Sequence, residues 1–296
     1  MTTDALPLPN EPTVDEAYDF CRAVAHKFGA NFSVGFRFLP PRKRRAVYAA
    51  YAWCRWADDI ADEEEHGTPE VRLRKLDDWQ RELDACYAGR PSHPITVALA
   101  DALQHFAIPK NAFIALLDGC RQDMVKRRYA TFDELLGYCD LVASSISDIS
   151  LSIFGYKSDA ALDYGRKLST ALQLTNVTRD VGDDLPRDRV YLPQDEMQRF
   201  GISDADLFAR VENDAMRRLI EFQIVRAAAY FREAEPLLRE LSFDARLPTL
   251  LMGGVYATVL QRLRADPLVV LRKRLSLSKK EKLMVIARRI LKPHFL

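Results

Sequence analysis

Residues 46–63 read AVYAAYAWCRWADDIADE. Ala46 to Cys54 is apolar nearly all round, the mark of a helix buried on every side. It then runs straight into Arg55, Asp58, Asp59, Asp62 and Glu63. Tyr51, Arg55, Asp58 and Asp62 are spaced 4, 3 and 4, and at about 3.6 residues per turn they share one face. Asp58 and Asp62 are like charges one turn apart, a pairing that costs an isolated helix a few tenths of a kcal/mol. A divalent cation between them reverses that sign.

A second stripe has the same design. Within residues 171–193, ALQLTNVTRDVGDDLPRDRVYLP, the side chains of Gln173, Asn176, Asp180 and Asp184 are spaced 3, 4 and 4 and again share a face. Acidic pairs at this spacing are common on solvated helix faces. These two, however, each prolong an apolar helix and carry neutral polar or basic groups one and two turns earlier. Hard oxygen donors of this kind suit Mg²⁺, which binds one or two carboxylates together with substrate phosphates. Two such stripes on facing helices could clamp a diphosphate, whose departure requires neutralisation of developing charge by metal and Arg. The allylic cation left behind needs a dry, aromatic cavity, for which Phe28, Phe32, Phe36, Tyr48 and Tyr51 are candidates, though aromatic residues at these spacings are by default core.

The rest of the chain reads as helix. Thr13 to Glu16 is a capping box followed by Phe20, Val24 and Phe28 at helical spacing, giving a helix over 14–28. Pro40-Pro41 opens a long helix to about 64. Further helices are expected near 70–88, 94–106, 110–126, 131–154, 159–183, 203–242 with a kink at Pro236, 247–264 and 278–291. No strand alternation, internal repeat or interdomain linker breaks the series. The expectation is one all-α domain over residues 1–296, with about 1–12 flexible.

Composition narrows the function classes. With 43 Lys+Arg against 42 Asp+Glu, the net charge is +1, and 12 Gly and 15 Pro are too few and too scattered for a β-sandwich or barrel. The 5 Cys form no CxxC pair, which predicts reduced thiols and a cytoplasmic protein, and the 5 His show no metal-ligand spacing and read as structural. Residues 1–11 hold acids and prolines where a signal peptide needs a basic start, and the longest uncharged run, Leu247 to Gln261, has 15 residues, short of a membrane span. Charge is uneven: Arg262 to Leu296 carries 11 basic and 2 acidic residues. No nucleic-acid motif accompanies it. Peripheral docking on the inner membrane face is one reading, with Lys279, Lys280, Lys282, Arg288, Arg289 and Lys292 as candidates; a solvated helix face is the other.

Residues 45–63 and 171–193 resemble the first and second aspartate motifs of the squalene/phytoene synthase family, which joins prenyl diphosphates head to head. Asp118 to Asp123, Tyr138-Cys139, Tyr256 and Arg274-Leu275-Ser276 fit the same family. The resemblance implies an all-α isoprenoid synthase fold with helices around a central cavity. It assigns Asp58, Asp62, Asp180 and Asp184 to Mg²⁺ (or Mn²⁺) and diphosphate. Gln173 and Asn176 lie beside them, and Tyr51, Arg55, Arg179, Tyr256 and Arg274 contact diphosphate or steady the cation. Phe28, Phe32, Tyr48 and Tyr138 fall to substrate binding.

Asn31-Phe32-Ser33-Val34-Gly35 further resembles the bacterial hopanoid-pathway branch. That branch implies conversion of presqualene diphosphate to hydroxysqualene by water, with no need for NADPH. Ser144 and Ser147 stand where the family has small Gly positions. The alternatives are head-to-head condensation to presqualene diphosphate, squalene, dehydrosqualene or phytoene; a terpene cyclase, whose metal triad shares the 4, 4 spacing of Asn176, Asp180 and Asp184; and, from another class, a non-catalytic helical scaffold. A scaffold has no use for Arg and four Asp on interior helix faces.

Overall fold

A computed structural model describes residues 12–28 and 33–296, so Phe32 and the start of the Asn31–Gly35 element lie outside the described residues. The principal helices in chain order are α1 (Val14–Phe28), α2 (Pro41–Asp62), α3 (Pro69–Tyr87), α4 (Pro94–Leu103), α5 (Lys110–Val125), α6 (Phe132–Cys139), α7 (Ser145–Phe154), α8 (Ala160–Arg179), α9 (Val181–Asp184), α10 (Gln194–Phe200), α11 (Asp204–Phe208), α12 (Asp214–Ala234), α13 (Phe243–Ala265), α14 (Val269–Arg272) and α15 (Lys279–Leu291). Among the described residues there is no strand, only two isolated bridges, Arg128 to Val190 and Tyr156 to Leu241. No described helix is long and apolar enough to cross a membrane.

The expected capping box forms: Thr13 N donates to Glu16 Oε2 at 2.9 Å, and Glu16 N to Thr13 Oγ1 at 3.4 Å. Three expectations need correction. The helix expected over 131–154 is interrupted by a π-helical segment, Asp140–Ser144, where Ser144 Oγ donates to Asp140 Oδ1 at 2.9 Å. The helix expected over 159–183 breaks at Asp180, whose ψ of 7° leaves the helical range. The long helix expected over 203–242 is broken near residue 210, where Arg210 takes a left-handed conformation (φ 53°) and Asn213 caps a new start at Met216 N, 2.8 Å away, while its second interruption, between Ala234 and the short Leu237–Glu240 turn of helix, falls at the expected Pro236. Helices α10 and α14 escaped the periodicity argument because each is too short to display a repeat.

The chain divides into two compact units, with residues 1–125, 145–157 and 241–248 in the first and the remainder in the second. In the first, α2 is the central helix, packed by α1, α3, α4, α5 and α7, which is why residues 46–54 are apolar nearly all round. Trp53 anchors this core, stacked on Trp79 (5.7 Å) and edge-on to Phe113 (4.7 Å). His93 is structural: its Nδ1 accepts from Ile95 N at the start of α4, and its ring lies edge-on to Trp56 and Trp79. In the second unit α8 is central, packed by α12, α6 and the π segment. Glu196 of α10 is buried against α12, accepting from Gln223 Nε2 at 2.7 Å and from the Arg226 guanidinium, which also covers the Phe132 ring.

Candidate active site

Each unit's central helix carries one of the two stripes, and burial picks the stripes out. Along residues 46–62 of α2 every side chain is buried except Tyr51, Arg55, Asp58 and Asp62. Along residues 171–182 of α8 and α9 every side chain is buried except Gln173, Asn176 and Asp180; Asp183 and Asp184 follow, also incompletely covered. A helix packed by neighbours on all other faces and open only along a polar line presents that line to solvent or to a ligand.

On α2, Arg55 Nη1 donates to Asp58 Oδ2 at 3.1 Å while its Nη2 is hydrogen-bonded to fully buried Asp59. Its guanidinium lies 5.1 Å from the Phe28 ring centre. Asp58 is hemmed in by protein, and this loss of water, with the negative charges of Asp62, Asp59 and Asp123, raises its carboxyl to about 7 against the opposing pull of Arg55. Its side chain nonetheless remains 53% exposed, so the group is recessed but reachable. Tyr48 is buried beside Phe36 (6.2 Å) and His26 (5.8 Å), and burial raises its phenol; half-buried Tyr51 lies 6.5 Å from Phe36.

On α8, buried Arg179 donates from Nε and Nη2 to the two oxygens of Asp180 at 2.7 and 2.6 Å. Arg274, from the loop after α14, donates to the same two oxygens at 2.8 and 3.2 Å. Burial pushes the Asp180 carboxyl up, but these two guanidinium groups outweigh it and hold the carboxyl below the usual range. The buried Tyr256 hydroxyl is hydrogen-bonded by Asn176, whose Nδ2 lies 3.5 Å from Gln173 Oε1. Gly182 permits the approach of α14, since a Cβ there would lie 2.5 Å from the Val270 carbonyl oxygen.

The expected site residues therefore gather into two groups. Tyr51, Arg55, Asp58 and Asp62 share the α2 line with Phe28 against Arg55; in the second group Arg179, Asp180 and Arg274 are bonded to one another, Gln173, Asn176 and Tyr256 form a neighbouring set within electrostatic reach of them, and Asp184 follows one turn beyond Asp180. Tyr138 is in neither set. It lies in an aromatic cluster with Tyr129 (5.5 Å) and Tyr191 (5.4 Å, stacked). Two participants carry no role in the sequence reading. Asp59 is the inward anchor of Arg55, and its position four residues on was the available signal; Asp123 adds negative charge from α5, which only the packing reveals.

The carboxylates of the α2 line fit Mg²⁺. Asp58 is crowded by like charges, and a divalent cation relieves that crowding. Among the described residues no three His, Cys, Asp or Glu side chains converge into a ready-made cage. Mg²⁺ would thus keep waters and phosphate oxygens as its remaining ligands. By contrast, an open groove of about 830 Å³ lined by Arg128, Glu134, Gln194 and Asp204 contains none of the stripe residues, and its Arg128 is already paired with Asp188 and Asp204.

Residues 25–281 match the family model for squalene/phytoene synthase. The chain is 36% identical to a 15-cis-phytoene synthase of Synechocystis over 288 residues, 93% of this chain and 84% of that protein. It is 36% identical to the chloroplastic phytoene synthase 2 of Solanum lycopersicum over 281 residues, 92% and 89% of the two chains. Among solved structures, a dehydrosqualene synthase in complex with ligand superposes with a TM-score of 0.86 at 26% identity, covering 95% of this chain and 98% of that one. The squalene synthase HpnC from Alicyclobacillus acidocaldarius gives 0.81 at 29% identity, covering 89% and 97%. The all-α architecture is thus the isoprenoid synthase fold, and the chain belongs to the squalene/phytoene synthase family of isoprenoid-diphosphate enzymes.

Proposed function

We propose that this protein ionises prenyl diphosphates in a head-to-head synthase reaction that depends on Mg²⁺ or Mn²⁺. The carrying observation is the pair of polar stripes whose residues are the only incompletely buried ones along 46–62 of one central helix and 171–182 of the other. In this reading Asp58 and Asp62, and Asp180 and Asp184, hold the cation with the diphosphate. Bound there, Mg²⁺ supplies charge neutralisation for the leaving diphosphate. Arg55, Arg179 and Arg274 add hydrogen-bond donors to the same oxygens as the C–O bond breaks and its electron pair leaves with the diphosphate. Tyr256, buried and hydrogen-bonded by Asn176, lies within electrostatic reach of Arg179 and Arg274, and the rings of Phe28, Tyr48 and Tyr51 would supply an apolar, water-poor lining for the allylic cation.

Condensation of two prenyl diphosphates, as in phytoene synthesis, is supported by the 36% identity to phytoene synthases across nearly the whole chain. A second reading, presqualene diphosphate to hydroxysqualene, is supported by the Asn31–Gly35 element and the likeness to HpnC. There water adds its oxygen to the cation and releases a proton, with no reductant consumed. A single catalytic domain at the cytoplasmic side, touching the membrane peripherally, completes the proposal. Mass analysis after separate incubations with farnesyl, geranylgeranyl and presqualene diphosphate tests it. A hydrocarbon from two prenyl diphosphates supports the first reading, an alcohol from presqualene diphosphate without NADPH the second; no diphosphate release from any of them refutes both.

A further inference from the structure

The C-terminal helix α15 is fastened on one side and bare on the other. Val285 and Arg289 face inward, Arg289 only 1% exposed, so this arginine leaves the set of candidate surface cations. Its Nη1 donates to the His294 carbonyl at 2.7 Å, and Gly254 makes room for it, since a Cβ there would lie 2.8 Å from Arg289 Nε. Phe295 is fully buried, with its backbone N–H donating to Glu235 Oε1 at 2.6 Å. The helix is thereby clamped at its far end.

At about 100° per residue, the side opposite Val285 and Arg289 carries Leu283, Met284, Ala287, Ile290 and Leu291. The four large ones are 64%, 63%, 59% and 81% exposed. Single exposed apolar residues are ordinary, but four on one face of one helix form a patch. Lys279, Lys280, Arg288 and Lys292 border it and make no ion pair among the described residues, whereas Arg262, Arg272 and Arg274 nearby in sequence each have a carboxylate partner. The one acid of the helix, Glu281, is turned to Arg262 and to its cap, Ser278.

We propose that this face of α15 docks on an anionic lipid bilayer, the apolar residues entering the headgroup boundary and the unpaired cations meeting lipid phosphates. An apolar stripe with a basic border is the pattern of helices that lie in a membrane interface. A second copy of the chain seated on this face would bring two sets of unpaired cations together, whereas an anionic leaflet answers both the charge and the apolar surface. Docking here follows from exposure and charge alone and does not rest on the proposed function.

The test is co-sedimentation of the full chain with vesicles of pure phosphatidylcholine and with vesicles containing about 30% phosphatidylglycerol, at about 50 and 500 mM salt. Wild type should favour the anionic vesicles by about tenfold or more at low salt and lose that preference at high salt. Ile290→Glu with Leu291→Glu, and separately Lys280→Glu with Arg288→Glu, should each lower binding about tenfold or more, since one engaged cation is worth about fivefold near such a surface. All four positions are exposed, and circular dichroism checks that the variants fold. Equal partition to both vesicles, none at low salt, or variants that bind like wild type overturns the proposal. So does a salt-resistant dimer that the Ile290→Glu, Leu291→Glu variant dissolves, which would give the face to a second copy. Diphosphate release from a water-soluble prenyl diphosphate by the same preparations reports on the proposed function separately.

Discussion

Arg274 reaches Asp180 from 94 positions along the sequence and matches its two oxygens with Nε and Nη2, at 2.8 and 3.2 Å. Arg179 grips the same two oxygens from the preceding position. One carboxylate thus orients two guanidinium groups, and a diphosphate arriving there meets donors already in place. Arg274→Ala should lower diphosphate release about a hundredfold with helical content unchanged, as expected for loss of a preorganised donor. Arg274→Lys should recover only part of it, because an ammonium cannot form the fork. Wild-type rates in Arg274→Ala would remove Arg274 from the site.

Neighbouring carboxylates on α2 should separate cleanly by stability. Asp59 is fully buried against Arg55, and breaking a buried pair leaves an uncompensated charge, so Asp59→Asn should cost about 2 to 4 kcal/mol. Asp58, half-exposed, should cost less than about 1 kcal/mol as Asp58→Asn. Urea midpoints measure both. An Asp58→Asn variant as unstable as Asp59→Asn would mean that Asp58 too is structural.

Acid should loosen the first unit through Glu82. This carboxylate accepts from Ser92 N and His93 N at 2.7 and 3.0 Å and from Ser92 Oγ at 2.5 Å, and it is hydrogen-bonded to the Thr96 hydroxyl. Partial burial pushes its carboxyl up, but these hydrogen bonds outweigh burial and hold it below its usual 4.5. A depressed folded value means a contribution present above about pH 4.5 and lost as pH falls through the folded value. Glu82→Gln should cost about 1 to 2 kcal/mol at pH 7 and progressively less at lower pH. A pH-independent difference in denaturation midpoint would contradict this.

Where local chemistry sets structure, the sequence was readable. Thr13 and Glu16 fix the start of α1, and the two stripes follow from helical spacing alone. The failures are tertiary. Arg210 takes φ 53°, with its guanidinium bonded to the Gly182 and Leu271 carbonyls, partners 28 and 61 positions away that no window around residue 210 contains. Asp180 leaves the helix where two arginines, one of them distant, hold its side chain. Of the basic C-terminal residues, Arg289 turned out to be an internal clamp, because what a cation faces depends on the element packed beneath it.

Diphosphate release from a prenyl diphosphate, measured with about 1 mM Mg²⁺ and again in excess EDTA, for wild type, Asp58→Asn and Asp180→Asn, tests whether the two stripes hold the metal and the leaving group. The two-stripe account predicts release by wild type only with the metal, and a loss of about a hundredfold or more in each variant with helical content unchanged. Full release in EDTA, or wild-type rates in either variant, would contradict it.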